Sequence, residues 1–400
     1  MLRLRRIALA TIMAVAVVVA VFASESGAAS KTSSKVTYKN LSYKDFSTSY
    51  AAMRALVPLA AKGSGSVAVI LPDTTSLTRY TEFDAPMLTV ALEDAGLKPS
   101  QIIIQNAQGS DSTFITDVQA DITAGAKVIG IDPEDSATGV KAEQLAAAAG
   151  VKTIDYDRLT LGGATSGKAY VSFNNVNVGK LIGQGMVSCV KAWKVKSPKL
   201  IVMRGSPTDN NATLFAQGYF DVMNKYFKSG SWKDLAQPAG TWDPPTAETE
   251  FQQAFTANSS ANAVLTPNDE NAAPIITYLQ TQGVKPRTFP VTGQDATLVG
   301  LQNIISGYQC GTVYKPVFLE AQAAAALAMY LRAGLTPPKS LINGTTQDTV
   351  NNIAVPSILE TPEWVTASTV QKTVVHDQFV PASEICAGSF NADCKKFGIH

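Results

Sequence analysis

The chain has 400 residues, 46% of them hydrophobic and only 16% charged, which is apolar material enough for a large core and excludes a disordered chain. Its formal charge of +1 supplies no electrostatic case for a nucleic-acid partner, and no basic cluster suits an anionic membrane surface. The N-terminus carries Arg3, Arg5 and Arg6 ahead of an apolar run, 7–22, followed by Gly27-Ala28-Ala29-Ser30. This pattern predicts a signal peptide over 1–29 and an exported protein, in the periplasm or on the outer face of the cell membrane. An uncleaved anchor is the alternative, since the run is near the lower limit for spanning a bilayer. Residues 30–65, rich in Ser, Lys, Thr and Tyr with a helical patch near 49–61, read as a spacer, with packing on the first domain as the alternative.

From Ser66 onward strands and helices alternate. Apolar strands are predicted over 66–72, 101–105, 128–132 and 151–155, with amphipathic helices over 83–96, 112–126 and 138–149. The run YVSFNN (170–175) reads as a strand with a polar end, and the pattern then restarts. Helices are predicted over 178–193, 212–226, 247–257, 272–282, 298–306 and 317–333, and strands over 199–204, 263–267, 288–292 and 311–314. Residues 350–379 read as extended. Short strands alternating with helices predict an α/β fold with parallel sheets covered on both faces. Two Rossmann-like halves of similar size are expected, with a ligand cleft between them.

Polar residues gather at the predicted strand ends. They are Asp73 with Arg79-Tyr80, Tyr156-Asp157-Arg158, Asn174-Asn175, Ser206 to Asn211, Asn268-Asp269 and Gln294-Asp295. Each alone is equally a helix cap or a surface ion pair. In succession they fall where open α/β sheets bind ligands, outside the carboxyl ends of the strands. Asp, Asn, Arg and Gln without a ring of one charge suit a neutral polyhydroxyl compound, accepting from one hydroxyl and donating to its neighbour. Tyr80, Phe173 and Trp242 are candidates to stack on a sugar face, with core packing as the alternative.

An even count of four cysteines in an exported chain suggests disulfides. Proximity favours Cys386 with Cys394, which leaves Cys189 and Cys310, though nothing in the sequence brings that second pair together. Their spacing fits no metal site, and only His376 and His400 could add nitrogen ligands. No cofactor is expected.

The segments YDR (156–158), YVSFNN (170–175), GSPTDNNATLF (205–215), NDENAA (268–273), GQDATLVG (293–300) and TVYKP (312–316) occur in this order. Together with PSILETPEWV (356–365) and TVVHDQF (373–379) they resemble the D-xylose-binding proteins of bacterial sugar ABC transporters, within the periplasmic-binding-protein type I family. The likeness runs over roughly 66–379. It implies two lobes joined by a three-strand hinge: 66–170 plus 295–335 in the first, 171–294 plus 336–380 in the second, with 381–400 a cysteine-containing tail. It implies capture of a monosaccharide, D-xylose, by a monomer that delivers it to a membrane permease. A different pentose or hexose, or presentation to a sensor kinase, is the alternative. By position, the resemblance assigns ligand contacts to Arg79, Tyr80, Asp157, Arg158, Asn175, Asn210, Asn211, Trp242, Asp269, Gln294, Asp295 and Lys315. Two departures bear on the choice of sugar: Ser76 stands where the pattern has an Arg, and Asn174 where it has Asp.

Catalysis has little support in the sequence. Asp157 with Asp269 or Asp295 could supply the paired carboxylates of a glycosidase, but nothing else favours one. With both histidines in or near the tail no Ser-His-Asp set is expected, and the glycines at 162–163 and 179–185 make no dinucleotide fingerprint. A sugar-responsive repressor would need a DNA-binding amino end where this chain has a leader.

Overall fold

The computed structural model describes residues 36–74 and 77–400. The leader expected over 1–29 and Ser76 lie outside the described residues. Residues 36–65 pack on the first domain, the alternative to a free spacer. Leu41, Phe46, Met53, Leu56 and Leu59 are buried in the largest core cluster. Ser340 Oγ donates to the Leu41 carbonyl at 2.7 Å, and Gln322 Nε2 donates to the Ser47 carbonyl at 2.9 Å. The segment ends in the short helix α1 (Val57–Ala60).

The first sheet then grows by parallel crossovers: β1 (Ser66–Leu71), α2 (Ala85–Asp94), β2 (Ile102–Asn106), α3 (Asp111–Thr123), β3 (Ala126–Ile131), α4 (Ser136–Ala148), β4 (Lys152–Tyr156) and β5 (Tyr170–Phe173). All six residues of β1 are buried, as expected of a strand with helices on both faces. Ser110 and Asp135 start α3 and α4 by accepting from Thr113 N and Thr138 N at 3.2 and 2.8 Å, satisfying otherwise orphan donors.

The chain next passes through α5 (Asn175–Ala192), β6 (Lys199–Val202), α6 (Asn210–Lys228), β7 (Lys233–Ala236), α7 (Pro244–Ala257), β8 (Ala263–Leu265), α8 (Asp269–Thr281), α9 (Leu298–Ser306) and β9 (Thr312–Tyr314). Strands β7-β6-β8 form a second parallel sheet, extended by a bridge from Val264 to Val291. Helix α10 (Val317–Arg332) returns to the first sheet and packs on α2, β3 and β4. The antiparallel pair β10 (Gly344–Asp348) and β11 (Ile353–Glu360) follows. β12 (Glu363–Val365) pairs with β9, and α11 (Ala382–Ile385) and α12 (Asn391–Phe397) close the chain.

Two assignments from the sequence change. β11 is hydrogen-bonded in parallel to β5, so 344–360 belongs to the first sheet, whose order is β10-β11-β5-β4-β3-β1-β2. The extended run 350–379 hid this, because the chain changes sheets at Thr361-Pro362 with no break in its apolar, β-branched composition. Helix α9 in turn packs on α8, α11 and α12, on the side of the second sheet. Among the described residues three connections link the sheets: β5 to α5, β9 to α10, and β11 to β12.

Both disulfides are present, Cys189–Cys310 and Cys386–Cys394. The first ties α5 to the approach of β9. The second closes a tail that is itself part of a core, with Ile385, Cys394 and Ile399 buried and Phe379 stacked on Phe83 at 4.0 Å. Their sequence separations, 121 and 8 residues, differ greatly, so the loop-closure entropy each removes from the unfolded chain also differs. Replacing Cys189 and Cys310 by Ala is expected to lower the unfolding free energy by about 5 kcal/mol, against about 2.5 kcal/mol for the tail pair. Urea titration of the two double variants measures this, and equal losses would show that loop length does not decide.

Candidate functional site

Seven segments that leave or approach strand ends meet around one small cavity. From the first sheet come Leu77, Arg79 and Tyr80 after β1, and Asp157 and Arg158 after β4. From the second come Asp209, Asn211 and Phe215 around the start of α6, Trp242 before α7, Asn268 after β8, Gln294 and Asp295, and Lys315 after β9. This is the crevice outside the carboxyl ends of the strands where open α/β sheets place ligands.

The walls carry three cations, Arg79, Arg158 and Lys315, and three carboxylates, Asp157, Asp209 and Asp295. Arg79 is 2% exposed and lies 3.4 Å from Asp157 Oδ1 and 3.9 Å from Asp295 Oδ1. Lys315 Nζ is 3.0 Å from Asp295 Oδ1. Arg158 Nη1 donates to Glu134 Oε2 at 2.9 Å and to the Pro133 carbonyl at 3.2 Å, while its Nε is 3.6 Å from both Asp132 and Asp209. Tyr80 Oη donates to Asp157 Oδ2 at 2.8 Å, and the Arg79 and Arg158 guanidinium carbons lie 5.0 and 5.8 Å from its ring centre. The ring thus lies within cation–π range of both guanidinium groups while its hydroxyl holds Asp157.

Asp157 has a positive φ of 53°, the left-handed region that costs a non-glycine residue energy. Two donors hold it there. Tyr170 Oη and Asn211 Nδ2 donate to the Asp157 carbonyl at 2.7 and 2.9 Å. Asn175 Nδ2 in turn donates to Asn211 Oδ1 at 2.8 Å. Asp209 caps α6 through Oδ1, which accepts from Asn211 N at 2.8 Å, and receives Trp242 Nε1 on Oδ2 at 3.0 Å. Gly205 lies under that indole. A Cβ there would sit 2.2 Å from the Trp242 ring, so the position has room only for glycine.

Nine of the twelve residues expected from the sequence line the cavity: Arg79, Tyr80, Asp157, Arg158, Asn211, Trp242, Gln294, Asp295 and Lys315. Asn175 stands behind the wall and orients Asn211. Asn210 and Asp269 do not line it. Asp269 turns away at the first position of α8, where Gln309 Nε2 and Thr297 N donate to its two oxygens at 2.6 and 3.0 Å, and burial pushes its carboxyl up to about 7. Its neighbour Asn268 is the lining residue. Asp209 and Asn268 were visible in the sequence as caps, and they do both jobs. Phe215 lies one helical turn beyond Asn211, and Leu77 one turn before Tyr80. Phe173 is core beneath Lys315 Nζ, which sits 5.6 Å over its ring. Among the described residues no cluster of His, Cys, Asp and Glu could hold a metal ion.

Burial raises the Asp157 carboxyl, but the charges of Arg79, Lys315 and Arg158 and the Tyr80 hydroxyl outweigh it and leave its pKa at about 2. A carboxyl depressed in the folded state adds stability above its unfolded value of about 3.9, and this is lost as pH falls through about 2. Asp157→Asn is therefore expected to be less stable than wild type at pH 7 by at least about 2 kcal/mol, with the gap narrowing between about pH 4 and pH 2. Denaturant titrations across that range measure the gap. A gap independent of pH would remove the charge of Asp157 as its cause.

The sequence and fold have close counterparts among known proteins. A family model described as a periplasmic binding protein domain matches residues 67–336. The D-xylose-binding periplasmic protein of Escherichia coli (strain K12) is 32% identical over 316 residues, covering 78% of this chain and 90% of that one. The multiple sugar-binding periplasmic receptor ChvE of Rhizobium radiobacter is 29% identical over 346 residues, covering 82% and 95%. A carbohydrate transporter solute binding protein from Chloroflexus aurantiacus, solved in complex with D-glucose, superposes with a TM-score of 0.70 at 28% identity, covering 80% of this chain and 98% of that one. The chain belongs to the periplasmic binding protein family, among its type I sugar-binding members.

Proposed function

We propose that the protein captures one monosaccharide, D-xylose, between two lobes built on its two sheets and delivers it, outside the cytoplasm, to the permease of an ABC transporter. The observation that carries this reading is the cavity wall, where three buried cations face three buried carboxylates amid amide and aromatic side chains. Each of these wall charges already has a protein partner of opposite sign, which leaves none unpaired for a charged ligand. A neutral polyol keeps these pairs, because each hydroxyl can accept from Arg79, Arg158 or Lys315 and donate to a carboxylate. Tyr80, Phe215 and Trp242 offer apolar surface to the C–H faces of a sugar ring.

Several contacts run directly from one sheet's loops to the other's. Asn211 Nδ2 meets the Asp157 carbonyl, Arg158 faces Asp209, and Thr208 Oγ1 donates to the Glu134 carbonyl at 3.3 Å. A sugar that bridges the same loops adds to this set and shifts the lobes toward the closed arrangement that a permease reads. Affinity for D-xylose among the relatives supports the choice of sugar; the multiple sugar-binding and D-glucose-bound proteins support a wider choice.

A thermal-shift screen of the protein against pentoses, hexoses, small polyols and amino acids tests both. The expected result is stabilisation by D-xylose above the other sugars. Stabilisation by amino acids alone overturns the sugar reading, and equal stabilisation by hexoses replaces D-xylose with a broader ligand. By calorimetric titration Arg158→Ala is expected to lose about 2–5 kcal/mol of sugar binding, because acceptors facing it are left buried and unpaired. Unchanged affinity would remove Arg158 from the site.

A further inference from the structure

We infer that Asp84 and Glu320, neither of which lines the cavity, are positioning residues that fix which edge of Arg79 faces the ligand. The inference rests on the sugar-binding reading above and adds to it the cause of the arginine's orientation.

A guanidinium has five N–H donors in one plane, so its function depends on which of them are left over. Asp84 takes two. Arg79 Nε donates to its Oδ2 at 2.9 Å and Nη2 donates to its Oδ1 at 2.7 Å. This bidentate contact sets the plane of the fork. Tyr156 Oη, at the end of β4, donates to Asp84 Oδ1 at 2.6 Å and holds the carboxylate in turn. Glu320, in the first turn of α10, takes the remaining Nη2 proton at 3.0 Å. Nη1 alone is left, and it points at Asp157 and Asp295 over the longer distances of 3.4 and 3.9 Å. Both of those residues line the cavity, so Nη1 is the edge a ligand oxygen can engage.

Asp84 and Glu320 are each 0% exposed, and one Glu320 oxygen has no hydrogen-bond partner. A buried carboxylate used at only one oxygen is a poor choice for stability alone. It is well placed to aim a cation. The same helix start carries Lys315, two residues before α10, onto Asp295.

The test is calorimetric titration with D-xylose of wild type, Glu320→Leu, Glu320→Gln and Asp84→Asn, each also made in an Arg79→Lys background. Glu320→Leu and Asp84→Asn are expected to bind at least about tenfold more weakly, the scale of a hydrogen bond to a charged group. Glu320→Gln keeps an acceptor for Nη2 and is expected within about fivefold of wild type. With lysine at position 79 there is no fork to aim, so the same changes are expected to cost less than about twofold. Losses of equal size in both backgrounds, or wild-type affinity in Glu320→Leu and Asp84→Asn, overturn the positioning role. If Glu320→Leu does not fold, Glu320→Ala, which also removes the acceptor, takes its place and is judged with Asp84→Asn by the same criterion. Wild-type protein that binds no sugar in this titration overturns the sugar reading instead.

Discussion

The burial of Arg79 is the constraint on which the site depends. A guanidinium removed from water costs many kcal/mol unless charge and hydrogen bonds replace its solvation. Here the replacement comes from four chain segments at once: Asp84 beside it, Asp157 after β4, Asp295 on the second sheet's side, and Glu320 from α10. Asp84, Asp157 and Glu320 all come from the first sheet's side and hold Arg79 there, while the longer contact to Asp295 reaches it from the second. Asp157 joins the most elements, since its carboxylate faces Arg79 and Tyr80 while its backbone carbonyl is held by Tyr170 and Asn211. The energy of its left-handed backbone is offset by those two donors, and the reward is a turn that aims Arg158 toward Asp132, Glu134 and Asp209.

Much of this was legible in the sequence because strand ends in a parallel sheet collect on one edge. An apolar run such as 66–71 or 151–155, followed by polar residues, fixes both a strand and a place in the cleft. What was not legible depends on rotation about a helix axis. The sequence pattern starts this helix at 272, but α8 begins three residues earlier, at Asp269. Asn268 then caps at the cavity, while Asp269, about 100° further round, turns to Thr297 and Gln309. Asp84 and Glu320 were hidden for the same reason. Each is an isolated acid beside or within an amphipathic or alanine-rich helix, a setting where a solvated face is the ordinary reading. The exchange of β10 and β11 into the first sheet was hidden differently, since strand pairing is a long-range choice that composition does not encode.

The segments beyond residues 67–336 also bear on the site. Helix α10 is buried along most of its length although it carries Glu320 and Gln322. Such a helix needs cover on its outer side that can also satisfy amides, and residues 36–62 provide it. Leu41, Met53, Leu56 and Leu59 pack into the same cluster as Leu327 and Met329, and Gln322 bonds to the Ser47 backbone. Arg332, at the far end of α10, donates to the carbonyls of Ala60 and Gly65 at 3.0 and 2.9 Å. A segment that read as a linker therefore keeps α10 in register over the first sheet. That register places Glu320 on Arg79 and Lys315 on Asp295, so the amino-terminal extension supports the cavity from its far side through one helix.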